Sequence, residues 1–468
     1  MTSIAQYTIL FMGLYALALI VIGWMAYKRQ AGSQQGFVIG NRQIGSVGTL
    51  CSLAAGQFSG AVIFIFFAKA PSMGYGLMWM PIGATVGMLT IAMYLKTIHK
   101  VAGEHDYVTL TDMIEKRVGR YTGYLSTLII CAKALLLVAS QLYISGNIFA
   151  SIFGIPTIWS IVTIAFCVML YLWLGGYMTV IRTDVLQVVL MVAAIVVPMI
   201  SFRIPEGHNV FAEIAHVNDK TTGLFLFILL LALTNAEIWQ RLFSVKSLKS
   251  GVKGFMLGGP VLMSLVFCAI TFALGSYAVM DNVVEGKGAF FALFQQTALP
   301  AVYLAMLCVF VTAAIMSTID TQVNLFASTM VKNVLKINDQ AKHADFVRIS
   351  RIITVVMLAT LSLVAVSIGD ILEFIFKAIS VSFVLVPALL IGCANGIKKD
   401  WAFDYKMTFA MICGMLLYSY MFFNGYLADP IYTAVPPVVA TLMFMLLYAV
   451  PFKQPLWLTR RGGLKQAV

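Results

Sequence analysis

The chain has 468 residues, of which 61% are hydrophobic and 11% charged, and its mean hydropathy is +0.92; this composition excludes a soluble globular enzyme and describes an integral membrane protein. The formal net charge of +12 is not the footprint of a nucleic-acid binder, because Lys and Arg fall in alternate loops between apolar runs, the positive-inside pattern. All seven cysteines (Cys51, Cys131, Cys167, Cys268, Cys308, Cys393 and Cys413) lie within apolar runs, with no CxxC and no Cys/His cluster, which argues against disulfides and a zinc site.

At about 20 apolar residues per span, the chain divides into a single transmembrane domain of about thirteen spans: 5–27, 45–70, 73–98, 122–152, 156–175, 181–202, 221–244, 252–281, 299–331, 347–368, 370–394, 405–425 and 431–451. The first begins almost at Met1 and is followed by Lys28 and Arg29 rather than a cleavage site, so it reads as a retained helix. Basic residues cluster after the first span (Lys28, Arg29, Arg42) and after the third (Lys96, Lys100, Lys116, Arg117, Arg120). The alternation continues through Arg182, Arg241 with Lys246, Lys249 and Lys253, the group from Lys332 to Arg351, Lys398 with Lys399, and the tail at 452–468. This predicts an external N-terminus and a cytoplasmic C-terminus. The absence of an N-glycosylation sequon favours a bacterial inner membrane. The longer outer loops, 203–220 and 282–298, read as lids or short surface helices.

The second span carries Cys51-Ser-Leu-Ala-Ala-Gly-Gln-Phe-Ser-Gly-Ala61, with Ser52, Gly56, Gln57, Ser59 and Gly60 where lipid-facing Leu is expected. Small and polar residues at mid-membrane mark either a helix-packing face or an unwound segment that lines a binding cavity. The run 221–244 has its own interruption, Thr234-Asn235-Ala236-Glu237. Five helices over 45–202 precede five over 221–394, and an odd number makes the two sets enter the membrane from opposite sides, the arithmetic of an inverted repeat. One helix (5–27) precedes the sets and two (405–451) follow them.

Ionisable residues within apolar runs are costly and mark candidate sites. In the ninth span, Ala314, Ser317, Thr318, Asp320 and Thr321 place three hydroxyls and a carboxylate close together. Such oxygen ligands suit a small hard cation, although Ser and Thr in membrane helices also bond back to the preceding turn. Gly175-Gly176-Tyr-Met-Thr-Val-Ile-Arg-Thr183-Asp184-Val-Leu-Gln187 then feeds the sixth span from a cytoplasmic turn. With Gly-Gly…Thr-Asp-x-x-Gln here, Ala-x-x-Ser-Thr at 314–318 and Gln240-Arg241 before a basic segment, the chain resembles the sodium/solute symporter family over nearly its whole length. In local pattern it is similar to the bacterial sodium/proline type, through Arg42, Ser59-Gly60 and Met316-Ser-Thr.

The resemblance implies an all-α membrane protein with a five-plus-five inverted repeat of the leucine-transporter type, and a secondary active symporter rather than an enzyme. It places a sodium ion between the backbone carbonyls of Ala55, Phe58 and Ala314 and the hydroxyls of Ser317 and Thr318. Some members have a second cation site, for which the matching positions are Asp184, Ser317, Asp320 and Thr321; an interfacial carboxylate paired with Arg182 or with a helix N-terminus is the other reading of Asp184. Two departures stand out. Proline-type members carry an acidic residue at the position of Gln57, so the amide here points away from proline. Lys133, in the fourth span where that type is apolar, either neutralises Asp184 or Asp320 or snorkels to the cytoplasmic face.

The implied substrate cavity lies between the broken helices and the fourth and eleventh spans, with Gln57, Ser140, Gln141, Tyr143, Asn235, Glu237, Trp239, Ser380 and Phe383 as candidates. Amides and hydroxyls fit a small polar or zwitterionic metabolite, aromatic rings stack or close over it, and Glu237 meets an amino group. Glu373 and Lys377, four residues apart, are expected to pair. The expected partners are a small-molecule substrate, sodium as the coupling ion and the bilayer, with no nucleic acid and no other cofactor, in a monomeric unit. A proton-coupled or weakly coupled carrier is the alternative that Gln57 and Lys133 support; a transporter-like sensor is a further one, against which stands the short tail after Pro455.

Overall fold

The computed structural model describes residues 3–29, 34–174, 176–199, 207–278, 300–335, 343–392, 394 and 400–449. An apolar segment away from water satisfies its own backbone hydrogen bonds as a helix, and the runs fold accordingly. The main helices are α1 Ser3–Arg29, α2 Ser46–Gln57, α3 Gly60–Met73, α4 Trp79–Met93, α5 Arg120–Phe153, α6 Thr157–Leu174 and α7 Tyr177–Met199. They continue with α8 Asp219–Thr234, α9 Ala236–Ser244, α10 Leu248–Ala278, α11 Ala301–Thr329, α12 His343–Val366, α13 Ile371–Ser380, α14 Trp401–Phe423 and α15 Val435–Ala449.

Among the described residues, nine helices are long and apolar enough to cross a membrane, or ten if the bent pair α8 and α9 is one span, against the thirteen expected. The run 45–70 breaks after Gln57, Gly60–Met93 qualifies as one 34-residue segment, and the expected spans 156–175 and 181–202 each include residues outside the described ones. In the loop expected to be external, a short helix, Val210–Ala215, is capped by the Asn209 side chain; residues 203–206, 282–298 and the tail at 452–468 lie outside the described residues. Six cysteines are described and all are free, while Cys393 lies outside.

The helices sort by how much of their surface other helices cover. In its most apolar stretch α11 is 83% buried and α1 only 22%, so α11 is the central post and α1 a peripheral one. Exposed Leu14, Leu17, Trp24, Phe423 and Leu446 form part of the outward apolar surface that a bilayer would cover. The two interrupted helices are cross-braced: α2 packs on α10, and α8 packs on α4. Each therefore leans on the helix that follows its counterpart, an interlocking that suits the expected inverted repeat.

Both interruptions occur where the residues weaken a helix. At the first, Phe58 has φ −99° and ψ 70°, and Ser59 is extended with its hydroxyl accepting the Val62 N–H at 3.2 Å, which caps α3. Glycine is needed at Gly60 for steric reasons, and at Gly56 it leaves room for the Arg241 and Glu237 tips. A Cβ at Gly60 would overlap Ile315 Cγ1 on α11, and one at Gly56 would stand 2.9 Å from Arg241 Nη2 and 3.1 Å from Glu237 Oε2. At the second, Asn235 (φ −76°, ψ 105°) separates α8 from α9, which bend by 45°, and its side chain accepts the Glu237 N–H at 3.4 Å. On α13 the expected Glu373–Lys377 pair forms at 2.6 Å.

Candidate cation and substrate site

The two breaks, the post α11 and helix α7 converge on a buried polar cluster. Helix α7 brings Thr183, Asp184 and Gln187, α2 brings Ser52, α9 brings Glu237 and Arg241, and α11 brings Ser317, Asp320, Thr321 and Gln322; of these, each is at most 3% exposed. Charges so placed are held only by pairing and hydrogen bonding.

Asp184 is the hub. Its Oδ1 accepts the Ser317 hydroxyl at 2.7 Å, and its Oδ2 accepts the Ser52 hydroxyl and faces Arg241 Nη2 at 3.6 Å. Arg241 spans the cluster: Nε donates to Ser52 Oγ at 2.6 Å, Nη1 pairs with Glu237 Oε2 at 3.4 Å, and Nη2 reaches Thr321 Oγ1 at 3.5 Å. A flat guanidinium with five N–H donors is suited to bridging two carboxylates and two hydroxyls at once. The other Glu237 oxygen, Oε1, accepts from Gln322 Nε2. Asp320 lies beside Thr321 and Thr183, each at 3.4 Å.

The residues expected to hold sodium meet at the contact of α2 and α3 with α11. Ala55, Phe58, Ala314 and Ser317 are fully buried and Thr318 nearly so. A helix that stops at Gln57 leaves its last carbonyls, Ala55 among them, without the donors a continuing helix would supply. Ser317 donates its hydroxyl hydrogen bond to Asp184, which leaves its oxygen lone pairs for a cation. Thr318 donates to Ala314 O at 3.2 Å within its own helix, so its oxygen likewise retains acceptor capacity. Carbonyl and hydroxyl oxygens are the donor set of a hard monovalent cation rather than of a thiophilic metal.

Lys133 does not meet the partners expected for it. Its Nζ donates to Asn235 Oδ1 at 3.0 Å and lies within electrostatic reach of Glu237, and at 3% exposure it does not snorkel to a water face. The cation that meets Asp184 is Arg241, which the sequence pattern groups with the basic loop residues Lys246, Lys249 and Lys253; it is 2% exposed and belongs to the interior. The sign available in the sequence was its spacing, four residues after Glu237 on one face of α9.

The substrate candidates are less tightly gathered. Gln57 ends α2 and is half-buried. Gln141 is completely buried, both ends of its amide lack a hydrogen-bond partner among the described residues, and its Oε1 would lie 2.9 Å from a Cβ at Gly60. Tyr143, two residues on, is half-buried. Ser140 and Ser380 bond back to Leu137 O at 2.7 Å and Lys377 O at 3.3 Å. Phe383 packs edge-on to Phe227 at 5.3 Å. Trp239 donates to Leu233 O at 2.8 Å and lines a cavity of about 420 Å³ with Leu233, Tyr107, Arg117 and Leu389.

The model of one protein family, the sodium:solute symporters, matches residues 37–391. The chain belongs to the sodium:solute symporter family. Among curated relatives, the sodium/proline symporter 2 of Staphylococcus saprophyticus is 27% identical over 366 residues, covering 72% of this chain and 71% of its own. The sodium/proline symporter of Staphylococcus aureus strain Newman is 27% identical over 389 residues, 77% of this chain and 75% of its own. Among solved structures, a Na⁺-coupled sialic acid symporter in a substrate-bound, outward-open state superposes with a TM-score of 0.77 at 17% identity, covering 97% of this chain and 99% of that one. A nucleobase-cation-symport-1 family transporter, closed on bromovinylhydantoin, superposes at 0.53 with 12% identity over 89% and 96%. The fold is that of the leucine-transporter type, and the chain is a membrane transporter of the symporter family, not an enzyme.

Proposed function

We propose that this chain is a sodium-coupled symporter that imports a small polar or zwitterionic solute by alternating access. Sodium is held between α2 and α11 by the carbonyls of Ala55, Phe58 and Ala314 and the hydroxyls of Ser317 and Thr318. The observation that carries the reading is Ser317: its hydroxyl donates to Asp184 at 2.7 Å, which directs the hydrogen away and leaves the oxygen's two lone pairs for a cation where α2 breaks. Sodium bound there stabilises the outward-open form and raises substrate affinity, and release into a low-sodium cytoplasm completes the cycle. The basic loops support an external N-terminus and a cytoplasmic C-terminus.

The expected second cation set, Asp184, Ser317, Asp320 and Thr321, already has the Arg241 guanidinium against Asp184 and Thr321. A fixed positive charge in that position favours one coupling cation per cycle. For the solute, the names of the Staphylococcus relatives bring amino-acid-like compounds forward, while Gln57 argues for one other than proline. Gln141, buried with both amide ends open, is the residue best placed to recognise its polar groups.

The test is uptake of labelled amino acids (proline included), organic acids and sugars into proteoliposomes under an inward sodium or an inward proton gradient. Sodium is expected to drive accumulation of one amino-acid-like class. Uptake that follows protons and ignores sodium would overturn the reading. In the same assay, Gln141→Leu is expected to raise the KM for solute roughly tenfold, about the cost of one buried hydrogen-bonding group, with the sodium dependence kept.

A further inference from the structure

We propose that Tyr15, on α1 outside the two five-helix sets, is a positioning residue for the coupling cation: its hydroxyl fixes Gln187, Gln187 holds Asp184, and Asp184 aims the Ser317 hydroxyl. The inference rests on the reading of Ser317 as a sodium ligand.

Helix α1 packs against α6, α7 and α11 and is otherwise a loosely covered outer helix. The Tyr15 ring borders an apolar cavity of about 370 Å³, shared with Thr312 and Met316, and another of about 310 Å³, shared with Leu186 and Phe310. Its polar tip is specific: Tyr15 is 4% exposed and its hydroxyl lies 2.9 Å from the wholly buried amide of Gln187. A buried tyrosine hydroxyl needs a partner, and this partner stands one turn after Asp184 on α7.

The Gln187 amide has two orientations, and its surroundings choose between them. With its nitrogen toward α7 it donates to Asp184 Oδ1 at 3.2 Å and to Thr183 O at 3.3 Å, while its oxygen accepts the Tyr15 hydroxyl at 2.9 Å. Reversed, the amide oxygen would face a carboxylate and a carbonyl, acceptor against acceptor. Asp184 and the Thr183 carbonyl, acceptors only, select the first orientation; the Tyr15 hydroxyl, which can donate or accept, then satisfies the amide oxygen and anchors it, and a phenylalanine would leave that oxygen unpaired. Asp184 Oδ1 then receives two donors, Gln187 and Ser317, which holds the carboxylate in the rotamer that takes the Ser317 proton and leaves the Ser317 lone pairs toward the break in α2. Partners behind an ion's direct ligands govern its affinity by orienting those ligands.

The test is sodium-dependent uptake by the reconstituted full chain at saturating solute, comparing the parent with Tyr15→Phe, Gln187→Leu, the double variant and Leu19→Ala. Leu19 is a buried α1 residue one turn from Tyr15, and its truncation loosens packing without removing a hydroxyl. Tyr15→Phe and Gln187→Leu are each expected to raise the half-saturating sodium concentration roughly tenfold, with Vmax within about twofold of the parent. The double variant is expected to be no worse than the worse single one, and Leu19→Ala is expected to leave the sodium dependence unchanged. An unmoved sodium dependence in Tyr15→Phe, or an equal rise in Leu19→Ala, would overturn the inference while the sodium reading stands. Parent uptake that ignores sodium would overturn both.

Discussion

Replacing Arg241 with Gln is expected to abolish transport and to reduce sharply the amount of folded protein in the membrane. The guanidinium is the cation paired with both Asp184 and Glu237, at 3.6 and 3.4 Å, and it also donates to Ser52 at 2.6 Å. Removing one member of a buried charge group leaves the others uncompensated, at a cost of about 3–5 kcal/mol. That is a large fraction of the roughly 5–15 kcal/mol by which a folded domain is usually stable. Arg241→Lys keeps the charge but replaces a planar fork by a single ammonium, which cannot reach Ser52, Asp184 and Glu237 together; it is expected to insert and fold while transporting poorly. Size-exclusion profiles of the purified variants, with uptake measured per folded molecule, separate the two effects. Parent-like uptake by Arg241→Gln would show that Asp184 and Glu237 do not depend on this charge.

The second large effect is expected at the sodium ligands. Ser317→Ala with Thr318→Ala removes two of the five proposed oxygens, and the half-saturating sodium concentration for uptake is expected to rise by roughly 10–100-fold, the scale seen when metal-site support is lost. The single variants divide this loss. Among the described residues Thr318 bonds within its own helix, to Ala314 O at 3.2 Å, so Thr318→Ala reports on the cation with little structural cost. Ser317→Ala also takes a donor from Asp184 and should destabilise by about 1–3 kcal/mol as well. A Thr318→Ala protein with the parent's sodium dependence would remove that hydroxyl from the site.

Much of this was legible in the residues because membranes punish polar groups. Gly56, Gln57, Asn235 and Glu237 stand out in apolar runs, and both interruptions coincide with real breaks in the helices. Asp184 and Ser317 stand out for the same reason, and they meet at 2.7 Å although 133 residues separate them. What could not be read is which buried charges face one another. Lys133 finds Asn235 across 102 residues because of how α5 lies against the break between α8 and α9, a matter of packing that no local pattern encodes. Arg241 was misplaced because a positive charge close to a basic loop looks like part of it. The chain Tyr15–Gln187–Asp184 was hidden for another reason: one of three tyrosines in an apolar helix, with Tyr7 and Tyr27, looks like an interfacial or packing residue until its neighbour is known. The bounds of the spans suffer from the breaks themselves, which divide runs that hydropathy reads as whole.

The central claim is that a sodium ion sits between α2 and α11, and equilibrium binding of radioactive sodium to the purified full chain tests it most directly. The account predicts saturable binding to the parent, strengthened by the transported solute, not displaced by potassium, and lost in Ser317→Ala/Thr318→Ala. No saturable binding to the parent, or undiminished binding to the double variant, would contradict it.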